Sequence, residues 1–204
     1  MILLGFPIHT HRVGVVDVLH FACHQYFWFG LYSCAMALVD LVADRVAEVV
    51  KEGRSRIVVS SAFRVSCEGW LKIELLKSLW ESFGDSETNE ILPESDHFDL
   101  VVKADGQTVR IELKTFPTNY GQSGKPITNF IDGVVRDLSK LCALSSPTSI
   151  GLAVWLAYPI PEPLPRYWPE HLLKVQAMSA STLRSAKIPL WENNFAHLYI
   201  MRCK

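Results

Sequence analysis

The chain has no CxxC pair, no run of lysine and arginine, no internal repeat and no low-complexity tract. Without a second tight ligand pair, the His20, Cys23, His24 and Cys34 group falls short of a structural zinc site, and apolar packing is the better reading of "HFACH". The five cysteines (Cys23, Cys34, Cys67, Cys142 and Cys203) are odd in number and scattered. That pattern predicts reduced thiols in the cytoplasm and no disulfide framework. The formal net charge of −1 excludes a protein that coats nucleic acid through a broad basic surface. It leaves room for one that grips a phosphate backbone with a local cluster. No P-loop, no paired-histidine nuclease motif and no Ser-His-Asp arrangement is visible.

Charge is also missing between Val18 and Val39, a span long enough to cross a bilayer. His20, His24, Gln25 and Ser33 dilute its hydropathy, and its flanks carry no strong basic bias. A secretory signal would need a short basic start and a small-residue cleavage site, and neither is present. A buried or docked hydrophobic segment is therefore expected, with no stable membrane association. Met36 opens "MALVDLVADRVAEVVKEG", which reads as the start of a domain, so a natural start at Met36 is a second expectation for residues 1–35.

What is present suits one domain. The 204 residues are 49% hydrophobic and 20% charged, enough for a single packed core. We divide them into a hydrophobic extension and helix (1–53) and a main domain (54–204), packed as one unit. Leu38, Leu41, Val42, Val46 and Val49 recur at helical spacing over 36–52, and Gly53 stops that helix. "RIVVSSAF" reads as a short strand or extended connection. A helix follows from about Val65 to Phe83, then a loop, "GDSETNEILPES", and two strands near 97–104 and 107–116. Polar "PTNYGQSGKP" leads into a helix, "ITNFIDGVVRDLSKLCAL", and the apolar run "SIGLAVWLAYP" suits a central strand covered on both sides. A proline-rich connector, a helix near 169–183 and a last strand, "AHLYIMRC", complete a mixed α/β sandwich.

The chemistry concentrates in "DHFDLVVKADGQTVRIELKTF". Asp105-Gly106 is a strong two-residue hairpin signal, because the turn needs positive φ at both central positions. With that turn, Val102 faces Val109 and Asp99 falls opposite Glu112, with Cβ atoms about 4.5–5.5 Å apart. Alternation sends Phe98, Leu100, Val102, Val109, Ile111 and Leu113 to one face and Asp99, Glu112 and Lys114 to the other, with Lys103 and Arg110 further along. Opposed carboxylates destabilise a sheet unless something offsets them. A magnesium ion does so naturally. A solvated polar face neutralised by Lys114 and Arg110 is the alternative.

On the preceding helix, Glu68 falls within the apolar arc of Leu71, Leu75, Leu76, Leu79 and Phe83, whereas Glu74 faces solvent. A buried acid is costly unless it is paired or binds a metal. Alternatively, Glu68 is a first-turn glutamate that favours the positive helix end.

An acid on an early helix, then Asp99 on one strand and Glu112-Leu113-Lys114 on the next, resembles the PD-(D/E)xK nuclease superfamily over about residues 64–158. Phe98 stands where the motif usually has proline. The resemblance implies a restriction-endonuclease-like mixed sheet flanked by helices, here with the extra hydrophobic N-terminal segment. It implies metal-dependent hydrolysis of a nucleic-acid phosphodiester, with DNA as the expected partner and a homodimer possible. Asp99 and Glu112, with the Leu113 carbonyl oxygen, would hold Mg²⁺ or Mn²⁺. Lys114 would orient or help deprotonate the attacking water, and Glu68 would complete the acidic cluster. Gln122, Lys125, Arg136 and Lys140 are candidates for phosphate contacts, though an ordinary solvated loop and helix face is the slightly better reading of each. A nuclease-fold binding or assembly domain without turnover is the competing function.

Overall fold

A computed structural model of the chain describes residues 37–83, 88–118, 120, 127–178 and 180–203. Residues 1–36, with the hydrophobic segment up to Val39 for the most part and the His20, Cys23, His24 and Cys34 group, lie outside the described residues.

The first helix, α1 (37–52), buries Leu38, Val42, Val46 and Val49 as its periodicity predicts, with Val39, Ala43 and Val50 beside them, while Leu41 is only half-buried. "RIVVSSAF" is not a strand: it lies within a second helix, α2 (Arg54–Phe63). The reason is that only Ile57, Ser60 and Ser61 are buried, at helical spacing, while Val59 and Phe63 stay exposed. Burial overrides the strand preference of its β-branched residues. Gly53 makes the corner between α1 and α2 possible, since a Cβ there would meet Trp70 Cη2 at 2.0 Å. Helix α3 (Glu68–Phe83) starts a few residues later than expected and buries Leu71, Leu75 and Leu79.

Next comes a strand that the sequence does not announce, β1 (Glu90–Ser95), inside the expected loop. It pairs with β2 (Phe98–Ala104) through a two-residue turn, Asp96-His97, with φ of 54° and 65°. Aspartate and histidine tolerate that region better than most residues, and Pro93 is permitted because β1 is an edge strand. Strand β3 (Gln107–Pro117) follows the Asp105-Gly106 turn, where φ is 49° and 74°. Its register is the expected one: Val102 pairs with Val109 and Leu100 with Ile111.

Helix α4 (Ile127–Ala143) crosses over to β4 (Ser149–Pro161), which runs parallel to β3, with Lys114 beside Trp155. Helix α5 (Trp168–Gln176) is shorter than expected, because Ala180–Trp191 forms β5. That segment pairs with β6 (Asn194–Cys203), and sheet pairing outweighs its local helical preference. The six strands form one mixed sheet in the order β1-β2-β3-β4-β6-β5, with β4 internal.

Two cores cover the sheet. Helices α1 to α3 pack with Leu100, Val102, Ile111, Leu113, Leu156 and Ile200 on one face. Helices α4 and α5 pack with Val101, Phe116, Trp155 and Met201 on the other. The described residues form a mixed α/β arrangement of five helices around a six-stranded sheet. Among the described residues no helix is long and apolar enough to cross a membrane.

Two expectations need correction. Phe98 belongs to the α4 face, not to the face of Leu100, because the left-handed residues Asp96 and His97 turn the strand as it begins. The thiols are not all reduced: Cys142 and Cys203 form a disulfide with a Cα–Cα distance of 4.9 Å. The two lie 61 residues apart and meet only because the end of α4 packs on the last strand. Cys67 is a free, buried thiol.

Candidate active site

The site forms where β2 parts from β3. Paired residues end at Leu100 and Ile111, so the predicted pairing of Asp99 with Glu112 falls just past the ladder. Asp99 Oδ2 there accepts the N–H of Leu113 at 2.8 Å. Glu68 does the same two residues along the strand, its Oε2 accepting the N–H of Thr115 at 3.2 Å. Two carboxylates from separate elements thus clasp the backbone of Glu112-Leu113-Lys114-Thr115.

Glu68 is held in place by the anchoring of its helix. The N–H of Cys67 donates to Thr115 Oγ1 and to the Tyr158 hydroxyl, both at 3.0 Å. The Tyr158 hydroxyl donates in turn to the Val65 carbonyl at 2.8 Å, and the Ser66 and Thr115 hydroxyls meet at 2.8 Å. Strands β3 and β4 therefore fix the first turn of α3.

Asp99 and Glu112 each have a cation, whereas Glu68 has only the Thr115 N–H. Lys72 of α3 reaches Asp99 Oδ1 at 2.7 Å and also pairs with Glu94 of β1. Lys140 of α4 pairs with Glu112 and with the His97 carbonyl, its ammonium lying 4.0 Å from the Phe98 ring centroid. Lys114 pairs with Asp137 of α4 at 3.1 Å, and its stem passes close to Gly133. Asp99 and Glu112 are therefore gripped by lysines from helices on opposite faces, a departure from the single polar face that strand alternation predicts. The displaced Phe98 and the parting of β2 from β3 account for it.

Burial pushes the Glu68 carboxyl above the usual carboxylate range, against the pull of the Thr115 N–H and Lys114, with Asp99 adding repulsion. Burial also raises Glu112, against Lys140, with Asp99 and Asp137 adding repulsion. Asp99 thus repels both glutamates, which makes the three acids one electrostatic group. Burial alone would lower Lys114, but the ion pair with Asp137 and the fields of Glu68 and Glu112 hold it above the ordinary lysine value.

The carboxylates and the Leu113 carbonyl are the hard oxygen donors that magnesium takes, so the donor chemistry suits that ion. The geometry engages each carboxylate with an ammonium or an N–H instead. Among the described residues no three histidine, cysteine, aspartate or glutamate side chains converge to hold a metal.

Of the other candidates, Arg136 is exposed on α4, while Lys140 lies within the cluster as the partner of Glu112. Gln122 and Lys125 lie outside the described residues. Glu74 pairs with Arg56 at 2.8 Å, while Glu68 is the helix acid that lies within the field of Asp99 and Lys114. Sequence reasoning missed Lys72 and Asp137. Both had a signal in helical spacing: Lys72 lies one turn after Glu68, and Asp137 one turn before Lys140.

Beside Lys114 the α4 face continues into aromatic rings. Trp155 stacks on Tyr199 with centroids 4.3 Å apart, and His197 sits edge-on to Trp168 at 5.8 Å.

Comparison of the chain with protein-family models, with curated proteins and with solved structures gave no match.

Proposed function

We propose that this chain is a metal-dependent nuclease of restriction-endonuclease-like fold that hydrolyses nucleic-acid phosphodiesters, with DNA as the substrate. The observation that carries the reading is the double clasp: Asp99 on the Leu113 N–H and Glu68 on the Thr115 N–H, bracketing Glu112-Leu113-Lys114. Asp99 repels both Glu68 and Glu112, and a lysine kept charged stands next to them, the composition that metal-assisted phosphodiester hydrolysis needs.

Asp99, Glu112 and the Leu113 carbonyl would hold Mg²⁺ or Mn²⁺. When bound, such an ion acidifies a water and offsets charge on the phosphate. Lys114, held protonated by Asp137, donates hydrogen bonds to a phosphate oxygen or to the attacking water and stabilises developing negative charge. It is a poor proton acceptor for the same reason. Glu68, with its raised pKa, is the better acceptor for the proton of that water.

A second reading has its own support. Lys72 and Lys140 occupy the carboxylates as cations already, as in a binding or assembly protein that keeps the fold without turnover.

One assay separates the two. Purified protein is incubated with plasmid and single-stranded DNA in Mg²⁺, in Mn²⁺ and in EDTA, alongside Lys114→Ala. The nuclease reading expects metal-dependent cutting that Lys114→Ala abolishes while its thermal melt is unchanged. Equal cutting by Lys114→Ala removes the assigned role. DNA binding without cutting under any metal condition favours the second reading.

A further inference from the structure

Asp99 and Glu112 are the least exposed carboxylates among the ion pairs of the described residues, with side chains 16% and 13% exposed. Carboxylates withdrawn from water to that degree need a cation. Each takes an ammonium from a different helix and a different face of the sheet: Lys72 of α3 on Asp99 Oδ1 at 2.7 Å, Lys140 of α4 on Glu112 Oε1. The second oxygen of Asp99 goes to the Leu113 N–H. The lysines therefore sit on the oxygens that a divalent ion would have to take, and donors suited to magnesium are found already paired.

Neither lysine depends on its carboxylate alone. Lys72 also pairs with Glu94 of β1, whose side chain is 72% exposed. Lys140 also donates to the His97 carbonyl and lies 4.0 Å from the Phe98 ring centroid. Glu94, His97 and Phe98 surround the β1–β2 turn, so the two ammoniums flank that turn from opposite faces. Leaving Asp99 and Glu112 would strand neither of them. Charge gives a reason to leave. Counted as ionised, the four carboxylates of Glu68, Asp99, Glu112 and Asp137 exceed the three ammoniums of Lys72, Lys114 and Lys140 by one negative charge. A divalent ion alone turns that into one positive charge in excess, and a phosphodiester beside it restores neutrality. Phosphate oxygens are also strong acceptors for ammonium donors.

We propose that Lys72 and Lys140 are exchangeable counter-ions, which hold Asp99 and Glu112 until the phosphates of a bound nucleic-acid strand draw them off, so that strand and divalent ion are taken up together. The identity of the two ligands rests on the nuclease reading. The coupling is reciprocal: whatever factor the strand adds to the affinity for the ion, the ion adds to the affinity for the strand. Lys114 has no part in the exchange, because its partner Asp137 is not among the proposed ion ligands.

The test reads binding, with Mn²⁺ as the probe and the full chain throughout. Free Mn²⁺ is counted by its paramagnetic resonance during titration of the protein alone and of the protein with a saturating phosphorothioate single-stranded DNA oligonucleotide, with the oligonucleotide alone as the blank. The parent is expected to bind Mn²⁺ about tenfold more tightly when the oligonucleotide is present. The Lys72→Met, Lys140→Met double variant keeps the apolar stems and removes the ammoniums. Without DNA it is expected to bind Mn²⁺ about tenfold more tightly than the parent, and the oligonucleotide should add little further. Lys103→Met, which removes the Glu90 pair at the far end of the same strands, should bind as the parent does. Parent affinity that is the same with and without the oligonucleotide overturns the proposal, whether or not the double variant folds. A double variant no tighter than the parent, or an equal gain in Lys103→Met, overturns it too. If the parent cuts DNA while its Mn²⁺ affinity ignores the strand, the nuclease reading stands and the exchange falls. Coupled binding in a protein that cuts nothing keeps the exchange and removes the hydrolysis.

Discussion

Asp99 Oδ2 and the amide of Leu113 meet at 2.8 Å, just beyond the last paired residues Leu100 and Ile111 of β2 and β3. The side chain replaces a ladder bond at the point where the strands separate, while its other oxygen holds Lys72 at 2.7 Å. One carboxylate therefore serves the backbone and the charge cluster together. Asp99→Asn keeps an acceptor for Leu113 but loses the ion pair; Asp99→Ala loses both. Urea unfolding is expected to rank them, with alanine less stable than asparagine by about 1 kcal/mol. Both variants should be inactive in the plasmid assay. Equal stabilities would show that the Leu113 bond contributes little.

His197 carries a pH dependence of known sign. Burial, helped by Lys187, lowers its pKa from 6.5 to about 4, so the ring is neutral in the fold. Below 6.5 the unfolded chain takes up a proton that the folded chain refuses. Stability from this residue is present above that value and is lost as pH falls toward 4. Between pH 7 and 5.5 the loss amounts to about 1 kcal/mol. His197→Gln should remove that part of the slope in urea melts at the two pH values; an unchanged slope would mean the ring titrates normally.

Two buried glycines should respond oppositely to alanine. At Gly133 in α4, a Cβ would meet Lys114 Cε at 3.7 Å, an ordinary contact. Gly133→Ala should stabilise by about 0.5–1 kcal/mol through helix propensity. At Gly151 in β4, a Cβ would meet Leu141 Cβ at 2.8 Å and its carbonyl oxygen at 3.2 Å. Gly151→Ala should cost about 1–3 kcal/mol by overpacking α4 against the sheet. Thermal melts of the pair decide both signs.

The Cys142–Cys203 disulfide closes a separation of 61 residues and ties α4 to β6. Removing it should cost about 2–4 kcal/mol, mostly through a freer unfolded chain. For a chain of this size that lowers Tm by about 5–12 °C. Melts with and without reductant, beside a Cys142→Ser, Cys203→Ser double variant that ignores reductant, measure it. Mass spectrometry of alkylated protein showing both thiols free would refute the pairing.

The parts of the fold that local pattern controls were legible. The α1 stripe, the Asp105-Gly106 hairpin with its register, and β4 as an internal strand all follow from periodicity and turn chemistry. What failed depended on distant partners. Residues 180–183 read as helix until β6 is there to pair with them, and β1 has too little apolar character to stand out before β2 covers it. At the site, the nearness of Asp99 to Glu112 was readable from the turn, but not that the ladder ends at Leu100 and Ile111 and leaves the two acids gripped from opposite faces. The lysines that hold them were not readable either, because Lys72 and Lys140 come from helices whose approach no strand pattern encodes.

The strand order has a consequence for synthesis. Strand β5 leaves the ribosome before β6, yet it has no edge of β4 to join, because β6 lies between them. It must wait as half of a hairpin closed at Glu192-Asn193 and dock together with its successor. Until the final residues of β6 are made, the edge of β4 stays bare, and a nascent chain stalled there exposes its most apolar strand to whatever chaperone or neighbour is near.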